Sequence, residues 1–319
     1  MRRLVARLGQ SLIVVFIVTT VAFVVIRAAP GDPFSYDSTK LSQEARDRLR
    51  QQAGYDRPLP EQYARYLAKA ARGDFGFSVS RGTTVTHALA DTIPNTLLLV
   101  GVALTLSVGL GMIVGVIQAT KRGGWFDRVT SPTFLVFYSL PDFWGALMML
   151  LVFGYWLKIF PQGYMGDPIL HDYWPLWRRV GDTALHLVLP ATTLTLITIA
   201  AIARYQRTAM LEVLPADFIR TARAKGLSER EIVWRHALRN ALAPMITTLG
   251  LLFPLLLGGA LFVEKVFSWP GMGALAASAI ESRDYDLVTA TVIIGSVMVV
   301  IGNLVADLLH AAVDPRVRE

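Results

Sequence analysis

Residues 217–244 read DFIRTARAKGLSEREIVWRHALRNALAP and lie between two long apolar runs. A charged segment held at both ends by such runs works at a membrane surface, so its shape bears on what docks there. Asp217 follows Pro215 and is placed to cap a first helix. Gly226 sits where that helix would end, in the left-handed conformation that glycine adopts cheaply. Ser228, with Glu231 three residues on, has the form of a capping box that starts a second helix. The expectation is two short helices meeting at a tight corner. Across 205–242 seven basic residues, Arg207, Arg220, Arg223, Lys225, Arg230, Arg235 and Arg239, stand against four acids, Glu212, Asp217, Glu229 and Glu231. That excess puts the corner on the cytoplasmic side.

Outward from the corner the chain is built for a bilayer. Of 319 residues 53% are hydrophobic and 17% charged, against about a quarter charged in soluble domains. A helix needs roughly 20 apolar residues to cross a ~30 Å hydrocarbon core. Six runs qualify: 11–26, 96–120, 132–157, 185–203, 242–262 and 287–309. The first follows Arg2, Arg3 and Arg7; Ile26 and Arg27 at the −3 positions oppose cleavage there, so it reads as an anchor. The loop KRGGWFDR at 121–128 is cytoplasmic by charge, and Arg316 and Arg318 lie in the tail. Six crossings then leave both termini in the cytoplasm. Residues 29–91 form an exterior domain, with helix start and stop signals over 42–53 and 60–72. Within the second, Tyr63, Tyr66, Leu67 and Ala70 recur at helical spacing and are expected to pack the domain onto the membrane helices.

Chemistry of its own is not written in this chain. It has no G-x-x-x-x-G-K-[ST] phosphate loop and no H-E-x-x-H pair, and His87, His171, His186, His236 and His310 are scattered. With no cysteine there is no thiol nucleophile and no thiolate metal site. The expectation is no catalytic residue, no metal and no cofactor. The net charge of +7 follows from topology, and nucleic acid is not an expected partner, because the ends of the basic corner are tethered to spans.

A few residues stand out within the spans. Asp142 directly follows Pro141 in the third, at a depth where a carboxylate costs about 2.5 to 3.5 kcal/mol to insert. It either lines a translocation path or caps a helix restarted after the proline. Thr192, Thr195 and Thr198 share roughly one face of the fourth span, as a polar cavity wall or as packing residues bonded to their own helix. Gly111 and Gly115, four residues apart, let a neighbouring helix approach closely. Glu264, Lys265 and Asp307 near span ends are expected at the interface.

The corner resembles the cytoplasmic coupling loop in the membrane subunits of binding-protein-dependent ABC importers, whose pattern is Glu-Ala-Ala, three residues, Gly, nine residues, Ile-x-Leu-Pro. Aligned on Gly226, the first three positions fall on Arg220, Thr221 and Ala222, and the last four on His236, Ala237, Leu238 and Arg239. Ala222, Gly226 and Leu238 fit. The wording RTARAKGL is similar to the dipeptide, oligopeptide and nickel branch, as are APGDP at 29–33, GDFGFS at 73–78, IPNTL at 93–97, SLPDFW at 139–144 and VFSWPGMG at 266–273.

That resemblance implies an all-α membrane protein with six transmembrane helices, in the type I importer permease fold, carrying a small exterior domain between helices 1 and 2. Its divisions are 1–28 (cytoplasmic N-terminus and first helix), 29–91 (exterior), 92–310 (transmembrane core) and 311–319 (cytoplasmic tail), in a bacterial inner membrane. The implied function is the permease subunit of an ATP-driven importer of di- or oligopeptides. ATP and magnesium sit on two separate ATP-binding subunits, which engage Arg220, Thr221, Ala222, Arg223, Lys225, Gly226, Leu227 and Ser228. A second homologous permease subunit, an exterior substrate-binding protein and membrane lipid complete the partners. Glutathione or nickel chelates are alternative cargoes, and a self-contained secondary transporter or channel is the alternative class.

Overall fold

A computed structural model describes residues 2–28 and 43–313. The order is α1 (Arg2–Ala28), α2 (Gln43–Ala53), α3 (Leu59–Ala70), a hairpin of β1 (Phe77–Ser78) and β2 (Thr83–Thr84), α4 (Val85–Thr120), α5 (Trp125–Ser139), α6 (Asp142–Met149), α7 (Leu176–Val213), α8 (Asp217–Ala224), α9 (Glu229–Glu231), α10 (Leu238–Val266), α11 (Met272–Glu281) and α12 (Tyr285–Val313). A π-helical stretch, Leu150–Trp156, prolongs α6, and another, Ile232–Ala237, joins α9 to α10. The phrase APGDP, the start of the 42–53 helix at Ser42, and Arg316 and Arg318 lie outside the described residues.

Among the described residues four helices are long and apolar enough to cross a membrane: Gly9–Ala28, Val85–Thr120, Leu176–Val213 and Tyr285–Leu308. The expected third span is not one straight helix. Leu140 is extended and Pro141 lacks the N–H that would continue the ladder, so Trp125–Ser139 and Asp142–Trp156 meet at 108°. The expected fifth span falls within α10, where side chains over 246–255 are outside the described residues.

The chain divides into two compact units. The first comprises Met1–Thr96 and Pro270–Val300. Its core joins Phe23 of α1, Tyr66 of α3 and Ile293 of α12, with Tyr63, Ala70 and Phe75 against them. The expected tyrosine stripe of α3 therefore does pack: Tyr63 and Tyr66 stand 5.3 and 5.4 Å from the Phe23 ring, and the Tyr63 hydroxyl meets Thr20 Oγ1 at 2.5 Å. Arg27 bonds Asp286 at 3.0 Å, and buried Asp284 accepts from Ser78 Oγ, Ser80 N and Ser80 Oγ. The phrases noted in the sequence find each other here. Asn95 of IPNTL donates to Pro270 O, and Thr96 Oγ1 accepts from Met272 N, both at 2.8 Å.

The second unit comprises Leu97–Trp269 and Ile301–Glu319. Leu99, Val100, Ala146, Leu189, Leu194, Val263, Phe267 and Trp269 form its main core. The paired glycines act as expected. A Cβ at Gly115 would stand 2.6 Å from Ala203 O, and one at Gly111 2.7 Å from Ile202 Cγ2, so α4 and α7 touch backbone to backbone. Glu264 corrects the expectation of an interfacial acid: it is fully buried beside the Trp269 core. Between α6 and α7, one carboxylate gathers the linker. Asp182 meets His171 Nδ1 at 2.7 Å and His186 Nδ1 at 3.2 Å, and accepts from Asp167 N.

Candidate functional site

The corner forms where the sequence places it, by a mechanism readable atom by atom. Gly226 has φ +80°, Gly226 N donates to Arg223 O at 2.9 Å, and Leu227 N donates to Ala222 O at 3.3 Å. These two bonds satisfy the carbonyls of Ala222 and Arg223 in the last turn of α8, in the paired pattern that a glycine terminus allows. Ser228 Oγ then accepts from Glu231 N at 3.3 Å and starts α9. Glu231 does not return the bond of a full capping box; its carboxylate takes Arg235 instead, at 3.1 Å.

Two expectations need correction. Asp217 is not the cap of α8: Ala216 holds that position with no side-chain bond, and Asp217 is the first helical residue, where its charge suits the helix dipole. Nor are there two short helices. The second arm runs on through the π-helical stretch into α10, with Glu231, Ala237 and Leu238 all in the right-handed helical conformation. Rotation of α9 is thereby rotation of a 29-residue helix.

The corner has two chemically distinct sides. Ile219, Ala222, Ile232, Val233 and Ala237 are buried against Val116 and Ala119 of α4 and Ala209 and Met210 of α7, and Leu227 packs on the same cluster. Full burial of each isoleucine contributes about 2 kcal/mol. On the outer side Arg220, Thr221, Arg223, Lys225, Gly226 and Ser228 are exposed. Arg223 Nε donates to Glu229 Oε1 at 2.6 Å, which holds that carboxyl below its usual range. The sequence reading missed Phe218 and Trp234. Each is 44% exposed beside the basic cluster, and the available signal was their place one residue from buried helical positions.

Above the corner, Asp127 of α5 holds α7. Arg207 Nε and Nη2 reach its two oxygens at 3.1 Å each, while Gly123 N and Ser131 Oγ also donate to it. The paired geometry gives direction as well as energy.

The candidate path residues sit differently from one another. Asp142 opens α6 immediately after the bend, but Pro141 occupies the cap position and no side chain caps the helix. Its carboxylate is half-buried and, among the described residues, has no hydrogen-bond partner. Thr195 and Thr198 are buried, with hydroxyls donating to Ala191 O and Leu194 O of their own helix. Thr192 is half-buried. The structure thus separates the three threonines, engaging two in packing of this chain. Nearby, α4, α5 and α7 flank an open-sided cavity of about 710 Å³ lined by Gln118, Ser131, Tyr138, Ala200, Arg204 and Thr208 among others.

Comparison with known proteins follows the same lines. The family described as "Binding-protein-dependent transport system inner membrane component" matches residues 107–319, and its N-terminal companion matches 1–100. The oligopeptide transport system permease protein AppB of Bacillus subtilis (strain 168) is 38% identical over 316 residues, covering 98% of both chains. The di/tripeptide transport system permease protein DppB of Pseudomonas aeruginosa (strain UCBPP-PA14) is 38% identical over 331 residues, covering 98% of this chain and 97% of its own. A solved structure of the MetNI methionine ABC transporter, in inward-facing conformations, matches with TM-score 0.58 at 19% identity, over 71% of this chain and 96% of that chain. That last likeness concerns fold alone.

Proposed function

This chain belongs to the family of inner-membrane components of binding-protein-dependent transport systems, and from that premise we propose that it forms the translocation path for di- or oligopeptides in an ATP-driven importer. It is the permease and not the ATPase, as its family is the membrane component. The proposed assembly adds a second homologous permease subunit, two ATP-binding subunits that carry ATP and magnesium, and an exterior substrate-binding protein. In the proposed topology both termini face the cytoplasm, 29–91 lies outside, 92–310 is the transmembrane core and 311–319 the cytoplasmic tail. Peptide cargo is supported by the two relatives named above, both peptide permeases.

The observation that carries the reading is the two-sided corner. Its underside is fixed to α4 and α7 by buried aliphatic contacts, while Arg220, Arg223, Lys225 and the aromatic rings of Phe218 and Trp234 face outward. Arginine and aromatic residues are the types enriched where proteins dock. ATP-driven closure of a partner pair seated on residues 220–228 would push on a rigid knob whose second arm is continuous with α10. The linked shift between outward- and inward-facing populations then needs only differential contact in the two states. For the path itself we propose Asp142 as the attractor of a cationic amino end, with Thr192, Thr195 and Thr198 along the adjoining wall.

Purification of the tagged chain from its native membrane tests the assembly. The expected result is retention of an ATP-hydrolysing subunit and a second permease, the former lost and the latter kept when Arg220, Arg223 and Lys225 are changed together to glutamate. Peptide uptake by the purified chain alone, in vesicles without ATP, would replace this reading with a secondary transporter.

A further inference from the structure

The cavity between α4, α5 and α7 has two ends of unlike chemistry. Phe134 and Leu135 of α5 with Ala200 of α7 and the ring of Tyr138 make one end mainly apolar, and Arg204, Tyr205 and Arg207 of α7 make the other polar. The tie between Asp127 and Arg207 aligns the two helices head to tail. The polar end therefore lies where the apolar run 185–203 gives way to charge, at the depth of lipid headgroups, and the apolar end lies deeper.

Most polar groups of the cavity are already engaged. Arg207 holds Asp127, Ser131 donates to Asp127, and Gln118 donates to Thr130 at 2.8 Å. The carbonyl of Arg204 accepts from Thr208 Oγ1, but its guanidinium is exposed and, among the described residues, has neither hydrogen bond nor ion pair. The lining contains no acid. A zwitterionic peptide would find a partner for its carboxylate there and none for its ammonium. A small inorganic anion would leave the apolar end unfilled, in a cavity of the size that holds a drug-sized ligand.

We propose that this cavity seats an anionic phospholipid, its phosphate on Arg204 within reach of the Tyr205 hydroxyl and one acyl chain along Phe134, Leu135 and Ala200. Basic pockets between membrane helices on the cytoplasmic side recognise such headgroups. The assignment to the cytoplasmic leaflet rests on the topology proposed above. The lipid would then sit directly above the corner, on the α5 to α7 contact that the Asp127 tie also controls.

The test uses the assembled complex in detergent, titrated with dioleoyl phosphatidylglycerol, dioleoyl phosphatidylcholine or inorganic phosphate, and read by native mass spectrometry. Retention of phosphatidylglycerol over phosphatidylcholine is expected. Arg204→Gln should weaken it about fivefold, the effect of one basic residue near an anionic surface. Ala200→Trp, which fills the apolar end and leaves the guanidinium in place, should weaken it comparably. Equal retention of the two lipids, or retention unchanged by both substitutions, would overturn the proposal. So would inorganic phosphate displacing phosphatidylglycerol at equal concentration, because the site would then be one for a free anion. The chain has no native cysteine, so Arg204→Cys supplies a single thiol; its crosslinking to a second permease chain would put protein in the cavity and also end the proposal. Retention of the ATP-hydrolysing subunit is read in the same spectra, so failure of the lipid site and failure of the importer reading are separate results.

Discussion

Of the breaks between helices in the second unit, the corner between α8 and α9 and the bend between α5 and α6 are finished in opposite ways. At the corner the backbone groups freed by the turn are bonded again: Gly226 N to Arg223 O, Leu227 N to Ala222 O, and Ser228 Oγ to Glu231 N. Its underside is buried aliphatic surface. At the bend Pro141 has no N–H, no side chain caps α6, and the Asp142 carboxylate has no bonded partner among the described residues. Unmet polar groups are expensive at membrane depth and persist where protein or water meets them. A break closed on itself is stiff and can pass displacement. A break left open presents charge to whatever enters.

The largest expected effect removes the support of the stiff break. Gly115→Leu adds a side chain where even a Cβ would lie 2.6 Å from Ala203 O and 3.0 Å from Arg207 N. Backbone cannot yield as a flexible side chain does, so the cost is about 3 kcal/mol or more. We expect the variant to accumulate poorly and to lose the partner ATPase together with the fold, measured as protein recovered from membranes. Wild-type recovery would mean that α4 and α7 do not approach so closely, and the corner would lose its footing.

How far the sequence reached follows from the range of each interaction. Gly226 and Ser228 were legible because their roles depend on neighbours within one or two turns, and the Gly111 and Gly115 pair because its four-residue spacing is itself the signal, although the α7 residues it meets are distant in the chain. Asp127 was not, although it lies in the quoted loop KRGGWFDR, because its partner Arg207 is 80 residues away. Glu264 was misplaced for a related reason: proximity to a span end predicts exposure, but the fold brings the Trp269 core over it. The continuity of α9 with α10 was hidden because a capping signal marks where a helix begins and carries no information on how long it runs. The bend angle at Pro141 depends on packing of α6 against α7 and α10, which local sequence does not contain.

A smaller effect tests stiffness alone. In Gly226→Val the added Cβ has no neighbour within 4 Å, but the residue must hold φ +80°. For a side-chain-bearing residue that conformation costs roughly 1 to 2 kcal/mol, more than the single hydrogen bonds that define the turn. We expect normal membrane insertion, with loss of substrate-stimulated ATP hydrolysis in the reconstituted complex. Normal stimulation at full expression would show that the turn can be recast without uncoupling, and would make the two breaks more alike than the hydrogen bonds suggest.

The smallest effect on stability belongs to the open break. Asp142→Asn keeps the shape of a side chain that holds no hydrogen-bond partner among the described residues, so stability should change by no more than about 0.5 kcal/mol. Uptake should change selectively. If the carboxylate receives a cationic amino end, its removal forfeits a charge-assisted hydrogen bond of about 1.5 kcal/mol or more, roughly tenfold in rate. Peptides with a free amino terminus should therefore lose more than N-acetylated ones of the same sequence, in vesicles carrying the complete transporter. Equal uptake of both kinds by Asp142→Asn, together with reduced expression of Asp142→Leu, would instead assign the acid to the first turn of α6, where a negative charge favours the helix dipole. The open break would then be a structural bend, and the path would have to be sought along another face of the unit.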